Sequence, residues 1–247
     1  MILLTSVLSL VLGLATTKHI LLVFPITIRS TRIQLDPLIE GLLDQGHEVT
    51  AVFPFPSTIS HSNYTERVIP DTGAEWYERF TAKVFTNEAG PDLNSFKTVK
   101  TMFLDDLNGL KQDYEILKLY DELSDILENN TIKIDALIVG SFLGNSCFYM
   151  AKLLNCPIIV FGLEGPQVGL MGNMGNPDNP SWQISNYSPF VEPMTFLQRL
   201  QNVLNRFLLI GFHKWHMNII RNGLQEKYQS EIPDLHSMET EESSYSL

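Results

Sequence analysis

The chain holds 247 residues, with an apolar share of 44% and a formal net charge of -11. That length allows one large domain or two small ones, and that composition buries a real core. The acidic balance, with no basic cluster, excludes nucleic acid as a partner, because phosphate binding needs positive surface.

Met1 to Ala15 is apolar and uncharged, too short to span a bilayer comfortably, and is followed by small residues and Lys18. Residues 1–17 read as a secretory signal; an uncleaved anchor and an ordinary first strand are the alternatives. Three glycosylation sequons, at Asn63, Asn129 and Asn186, fit entry into the secretory pathway. No later stretch is long and apolar enough to span a membrane.

His19 to Phe24 is a continuous apolar run, the pattern of a strand buried on both faces, and Pro25 stops it. Ile26 to Thr31 reads as a short loop. Ile33, Leu35, Leu38, Ile39, Leu42 and Leu43 then recur at helical spacing, and Gly46 stands where a left-handed helix cap belongs. Val49 to Phe53 is a second buried strand, stopped by Pro54. This is a β-α-β unit, so the expected fold is α/β, a Rossmann-like parallel sheet with flanking helices. Working sites in such sheets lie outside the carboxyl ends of the strands, which puts the Pro25–Thr31 stretch at the mouth of any site.

Ser57 to Gly73 is polar and reads as an exposed loop. Asp71 to Ala89 is a strand or short helix. Asn94 to Asn129 is mostly helical, with stripes at Phe103, Leu107, Leu110, Tyr114 and Leu117, then Tyr120, Leu123 and Leu127. These aromatics either wall a pocket or pack on the sheet. Asp135 to Val139 is a further buried strand ending at Gly140. Cys147 to Leu154 is helical and Pro157 to Phe161 is another strand, completing a second β-α-β unit. Cys147 and Cys156 either pair or serve as small buried side chains. No cysteine or histidine spacing resembles a zinc site. Gly162 to Gly175 is rich in Gly and Met and should line or adjoin a cleft. A turn-rich stretch at 176–182 precedes a long amphipathic helix through Met194, Leu197, Leu200, Val203, Leu204, Phe207 and Leu208. The 194–221 region, with Arg199, Arg206, His213, Lys214 and Arg221, admits either core packing or a seat on a membrane surface.

The first unit, with FP, a short Ser-containing loop, a helix and then GHEVTAVFP, resembles the amino-terminal half of the UDP-glycosyltransferases, in particular the animal glucuronosyltransferase-like group. Met174-Gly175-Asn176-Pro177, Asn179-Pro180-Ser181 and Met194-Thr195-Phe196 are similar, in order and spacing, to a motif of invertebrate members. The resemblance runs from the signal to about Leu235. It implies the amino-terminal half of a GT-B glycosyltransferase, with residues 18–247 an incomplete acceptor-binding domain and the donor-binding domain absent. It implies transfer of a sugar from a UDP-sugar to a hydroxyl of a small lipophilic acceptor. It places the protein in the lumen of the endoplasmic reticulum, with no membrane anchor and no cofactor of its own in this chain. The UDP-sugar donor belongs to the full-length family.

In that family a histidine in the first loop accepts the alcohol proton, and an aspartate after the DALIV-like strand orients it. An alcohol is a poor nucleophile until its proton is accepted, and imidazole has a suitable pKa. Here the matching positions hold Thr31 and Gly140, so no catalytic residue is assigned; His61, in a loop near strand ends, is the one substitute worth weighing. With Thr31 and Gly140 in those places and the chain ending before a donor lobe, the expectation is no transfer by this polypeptide alone. The alternative is a non-catalytic module that binds lipophilic ligands or pairs with an intact relative. Phe24, Pro25, Ile28, Phe142 and the Gly162–Met171 loop are expected to wall the acceptor pocket, since they follow strand ends.

Overall fold

The computed structural model describes residues 17–25, 29–69, 117–128, 132–140, 144–162, 179–184 and 190–238. Among these residues, five parallel strands form one sheet in the order β3-β2-β1-β4-β5. They are β1 (His19–Val23), β2 (Glu48–Phe53), β3 (Tyr64–Val68), β4 (Ala136–Gly140) and β5 (Ile158–Phe161). The helices used below are α1 (Arg29–Asp44), α2 (Ser124–Leu127), α3 (Phe148–Leu154) and α4 (Phe196–Tyr228). The Rossmann-like α/β expectation is therefore met.

β1 is central because it is apolar on both faces. Its neighbours are β2 and β4, with Val23 opposite Val52 on one side and Val139 on the other. Ile20, Leu22 and Phe24 pack with Leu35, Ile39 and Leu43 of α1. Leu21 and Val23 face the opposite layer, with Tyr120, Leu123, Met150, Met217, Ile220 and Leu224. Each such side chain taken from water contributes on the order of 1.5–3 kcal/mol. The sheet is thus sandwiched between α1 and a second helical layer, as a doubly wound fold requires.

Helix α1 ends as its sequence predicts. Gly46 has φ of 82°, its N–H donates to the Leu43 carbonyl at 2.9 Å, and the His47 N–H donates to the Leu42 carbonyl at 3.1 Å. These are the two bonds of a Schellman cap. Asn155 plays the same part after α3, with φ of 50°.

Four expectations change. The first loop is shorter, because α1 begins at Arg29 and takes Arg29, Ser30 and Thr31 into its first turn. On α1 the buried face runs Arg32, Leu35, Ile39, Leu43, while Ile33 is 70% exposed. Ile33 lies one residue, about 100° of helix, off that stripe. The polar segment after Pro56 contains β3, which pairs in parallel with β2. Its sequence, YTERV, hides a strand because it lies at the sheet edge and its inward groups are bonded rather than greasy. Finally, the apolar residues of α4 from Leu197 to Leu208 do not join the core: Leu197, Leu200, Leu204, Phe207 and Leu208 are exposed.

Cys147 and Cys156 are both buried and form no disulfide. Burial pushes the Cys147 thiol up to about 12, so it stays protonated and unreactive. The stretches 71–89 and 94–116 lie outside the described residues; from 117 onward the expected helix is present, with Tyr120 and Leu123 in the core. No helix among the described residues is long and apolar enough to cross a membrane.

A Gly46→Ala change should cost about 1–2 kcal/mol, because a Cβ disfavours the left-handed backbone that the cap requires. Urea unfolding of the two proteins checks this; an unchanged midpoint would show that the cap bears no strain.

Candidate functional site

The strand order reverses between β1 and β4, since β2 and β3 lie on one side and β5 on the other. The crevice outside the carboxyl ends at such a switch point is where open α/β sheets bind ligands. Val23 opposes Val139, so Phe24-Pro25 and Gly140 leave the sheet side by side at that point. Phe24 itself is held in the core: its N–H donates to the Val52 carbonyl at 3.0 Å and its ring stacks on Phe53 at 5.5 Å. Pro25 is buried too. Thr31 belongs to the first turn of α1, and Gly140 is the last residue of β4. Ile28, Phe142, Asn129, Asn186 and residues 163–171 lie outside the described residues.

The described histidines of the first half sit at the far edge of the sheet. His61 precedes β3; its carbonyl accepts from the Tyr64 N–H at 3.2 Å and its Nδ1 from the Asn63 N–H at 3.1 Å. Tyr64 is opposite Val49 at the amino end of β2, so His61 is a whole strand away from the Gly140 edge. His47 and His19 share that edge: the Lys18 N–H donates to His47 Nδ1 at 3.2 Å, and His19 opens β1. Burial lowers the His19 pKa, with Glu48 and Asp135 pulling the other way.

One charged cluster escaped the sequence reading. Arg32 is buried at 5% exposure, one residue beyond Thr31. Its Nε donates to Asp36 Oδ1 at 2.7 Å. Its Nη2 donates to Tyr64 Oη at 2.8 Å and pairs with Glu66 Oε1, also at 2.8 Å. The guanidinium lies 3.9 Å from the centre of the Phe53 ring, a cation-π distance. Tyr64 Oη donates to Glu66 Oε1 at 2.9 Å, and the Ser57 N–H donates to Glu66 Oε2 at 2.9 Å. Only Nη1 of Arg32 is buried without a partner. The cluster fastens the first turn of α1 to the edge strand. Its spacing, Arg32 to Asp36 at i, i+4, was a readable signal, but nothing in the sequence linked it to Tyr64 and Glu66.

The 179–202 segment explains its own motif. Asn179 Oδ1 accepts from the Ser181 N–H at 3.0 Å, a side-chain turn. Thr195 caps α4 and Gln198 bonds back to the Thr195 N–H at 2.8 Å, a capping box. Asn202, wholly buried, then donates from Nδ2 to the Pro180 carbonyl at 2.7 Å and the Gln183 carbonyl at 2.9 Å. The turn and the helix are thereby tied together. Among the described residues no group of three or more His, Cys, Asp or Glu is placed to hold a metal ion.

An open parallel sheet of five strands, with its switch point between β1 and β4, defines a Rossmann-like α/β protein. By sequence, the chain is similar to proteins named as UDP-glycosyltransferases. It is 29% identical over 242 residues to UDP-glycosyltransferase UGT5 of Dactylopius coccus, covering 94% of this chain and 43% of that protein. It is 26% identical to UDP-glycosyltransferase UGT4 and 25% identical to UDP-glucosyltransferase 2 of the same organism, covering 43% and 44% of them. The chain therefore spans less than half the length of these relatives. No protein-family model matches it. Among solved structures, apo UGT2 of Phytolacca americana aligns with a TM-score of 0.37 at 13% identity, covering 72% of this chain and 36% of that one. The same plant protein complexed with UDP-2fluoro-glucose and pterostilbene aligns at 0.34 and 12%, covering 89% and 52%. Likenesses this loose add nothing to the fold read from the strands themselves.

Replacing Arg32 by Met should destabilise the protein by about 3 kcal/mol, the low end for breaking a buried pair, because Asp36 keeps some contact with water. Adding Glu66→Gln to that variant should restore part of the loss, since the stranded charge is then gone. Equal stability of the single variant and the parent in urea would show that the cluster holds nothing together.

Proposed function

We propose that this chain is the acceptor-receiving part of a GT-B glycosyltransferase, whose family reaction moves a sugar from a UDP-sugar to a hydroxyl of a small lipophilic molecule. The observation that carries this is the meeting of Phe24-Pro25 and Gly140 at the β1/β4 switch point, in a chain similar to UDP-glycosyltransferases along nearly its whole length. In this reading the acceptor enters over the segments that follow those residues, which include Ile28 and Phe142. The donor would be a UDP-sugar met outside the residues described here.

Transfer itself is not expected of this polypeptide. Thr31 stands where a proton acceptor is needed, and a hydroxyl cannot accept a proton near neutral pH. Gly140 stands where the orienting carboxylate is needed and has no side chain. His61 supports no rescue, since it sits at the amino-terminal edge of the sheet. The chain then acts by binding: it holds a lipophilic alcohol, alone or paired with an intact relative. Incubation with UDP-glucose or UDP-glucuronic acid and 1-naphthol should yield no glycoside, while the naphthol fluorescence should still titrate to saturation with protein. Glycoside formation that His61→Ala abolishes would restore a catalytic reading with a moved base. Absence of saturable binding would remove the acceptor reading altogether.

The same reading carries the chain into the secretory pathway and the lumen of the endoplasmic reticulum, with residues 1–17 as the signal and Asn63, Asn129 and Asn186 as glycan acceptors. Asn63 supports it by position: it lies partly exposed just ahead of the edge strand β3. Expressed in animal cells, the protein should lose apparent mass on treatment with an amidase that removes N-glycans. Asn63→Gln should remove one increment of that loss; unchanged mobility of the parent after amidase treatment would place the protein outside the pathway.

A further inference from the structure

Helix α4 is amphipathic in the wrong direction over its first half. Its inward face there carries Asn202 and Arg206 beside Leu209, all three buried. Its outward face carries Phe196, Leu197, Leu200, Leu204, Phe207, Leu208, Gly211 and Trp215, with exposures from 47% at Leu200 to 79% at Phe196 among the large side chains. At about 100° per residue these positions fall within one arc of about 120° and run about 28 Å along the axis. Beyond Trp215 the same arc turns polar, at Asn218, Asn222 and Glu226, and the inward face becomes apolar, at Met217, Ile220 and Leu224. The inversion is therefore confined to one half of one helix. It is built in, because the buried Asn202 amide is bonded to the Pro180 and Gln183 carbonyls while Met217, Ile220 and Leu224 of the same helix sit in the core, and together they set the helix about its axis.

A contiguous exposed apolar stripe of this length marks a contact surface. Charge says with what. From Pro193 to Gln225 there is no acidic residue, while Arg199, Arg206, Lys214 and Arg221 are basic, in a chain of net charge -11. Arg199 and Lys214 are exposed beside or within the stripe. Two copies of the chain stacked on this face would bring like charges together with no acid between them. A surface that is apolar below and anionic above meets both demands, and Trp215 closes the stripe with the side chain favoured at such a boundary.

We propose that the Phe196–Trp215 half of α4 lies in the surface of an anionic lipid bilayer, apolar face down, with Arg199 and Lys214 at the phosphate level. This does not rest on the transferase reading. Nor does it make α4 a spanning helix, which no described helix can be.

The test is co-sedimentation of the purified chain with vesicles of phosphatidylcholine containing phosphatidylserine, and with vesicles of phosphatidylcholine alone. The parent should sediment with the mixed vesicles and less with the neutral ones. Leu204→Asp with Phe207→Asp, both at exposed sites, should lose that binding by at least about tenfold while keeping the parent's circular dichroism. Arg199→Glu with Lys214→Glu should weaken binding to the mixed vesicles by about fivefold or more per charge and erase the preference for them. A parent that stays in the supernatant, or a double Asp variant that sediments as the parent does, would overturn the proposal. So would a dimer in light scattering that the double Asp variant splits while vesicles bind neither protein; the stripe would then belong to a second copy. If the double Asp variant fails to fold, the charge-reversal pair decides alone, and its undiminished binding would count against the proposal.

Discussion

The whole molecule depends on β1 being buried from both sides. Every side chain from Ile20 to Phe24 is in the core, the odd and even positions belonging to different clusters. A strand that is apolar on both faces cannot lie at an edge or on a surface, so it must take neighbours on each side and layers above and below. Parallel neighbours need crossover connections, and the crossovers supply α1 and α3 as the covering layers. Once β1 is central, its carboxyl end is also the place where the chain's windings part. The switch point and its crevice are thus consequences of one hydrophobic run, and Phe24, stacked on Phe53, locks the last residue of that run before the chain leaves the sheet.

Sequence patterning reached this frame because burial on both faces leaves a continuous apolar signal. β1, β2 and β4 were visible in that way; β5 carries the same apolar run although Ile159 is 50% exposed, and the cap after α1 was readable from Gly46 itself. β3 was not, and the reason is physical. An edge strand needs only one bonded neighbour, and its inward groups here, Tyr64 and Glu66, are satisfied by Arg32 and Ser57 instead of by apolar packing. Ile33 misled for a related cause. Hydropathy ranks isoleucine above arginine as a core residue, but the helix register is set by Leu35, Ile39 and Leu43, and that register hands the remaining inward position to Arg32. At the candidate site the sequence placed Phe24, Pro25 and Gly140 at strand ends, because strand ends are readable, but it did not foresee that Phe24 and Pro25 are buried there, Phe24 against Phe53. It was silent on what surrounds Arg32, since contacts between residues thirty positions apart leave no local trace.

The motif formed by Asn179-Pro180-Ser181 and Met194-Thr195-Phe196 has a structural meaning independent of any reaction. Its first half makes a turn held by the Asn179 side chain, its second half a capped helix start, and Asn202 joins the two by donating to two turn carbonyls. Neutral hydrogen bonds of this kind each contribute about 1 kcal/mol net, yet leaving buried carbonyls unpaired costs more than that. The chain therefore keeps a polar residue at a buried helix position, and the apolar residues on the opposite face are turned outward by the same rotation. Turn, cap and exposed stripe are one arrangement, held by the Asn202 amide together with the buried Met217, Ile220 and Leu224 of the same helix.

The Arg32 cluster also bears on catalysis. Under the proposed reading a substitute base would have to come from carboxylates such as Asp36 and Glu66, which are bound to Arg32, the residue after Thr31. Both are already committed. Glu66 Oε1 takes Arg32 Nη2 and Tyr64 Oη, its Oε2 takes the Ser57 N–H, and Asp36 Oδ1 takes Arg32 Nε. A carboxylate whose lone pairs are held by a guanidinium, a phenol and an amide has to break those bonds before it can take a proton from an alcohol. Breaking them would leave Arg32 charged and unpaired, with its Nη1 already lacking a partner. The carboxylates bound to Arg32 thus serve to fasten the helix, and the more firmly they do so the less they can offer to chemistry.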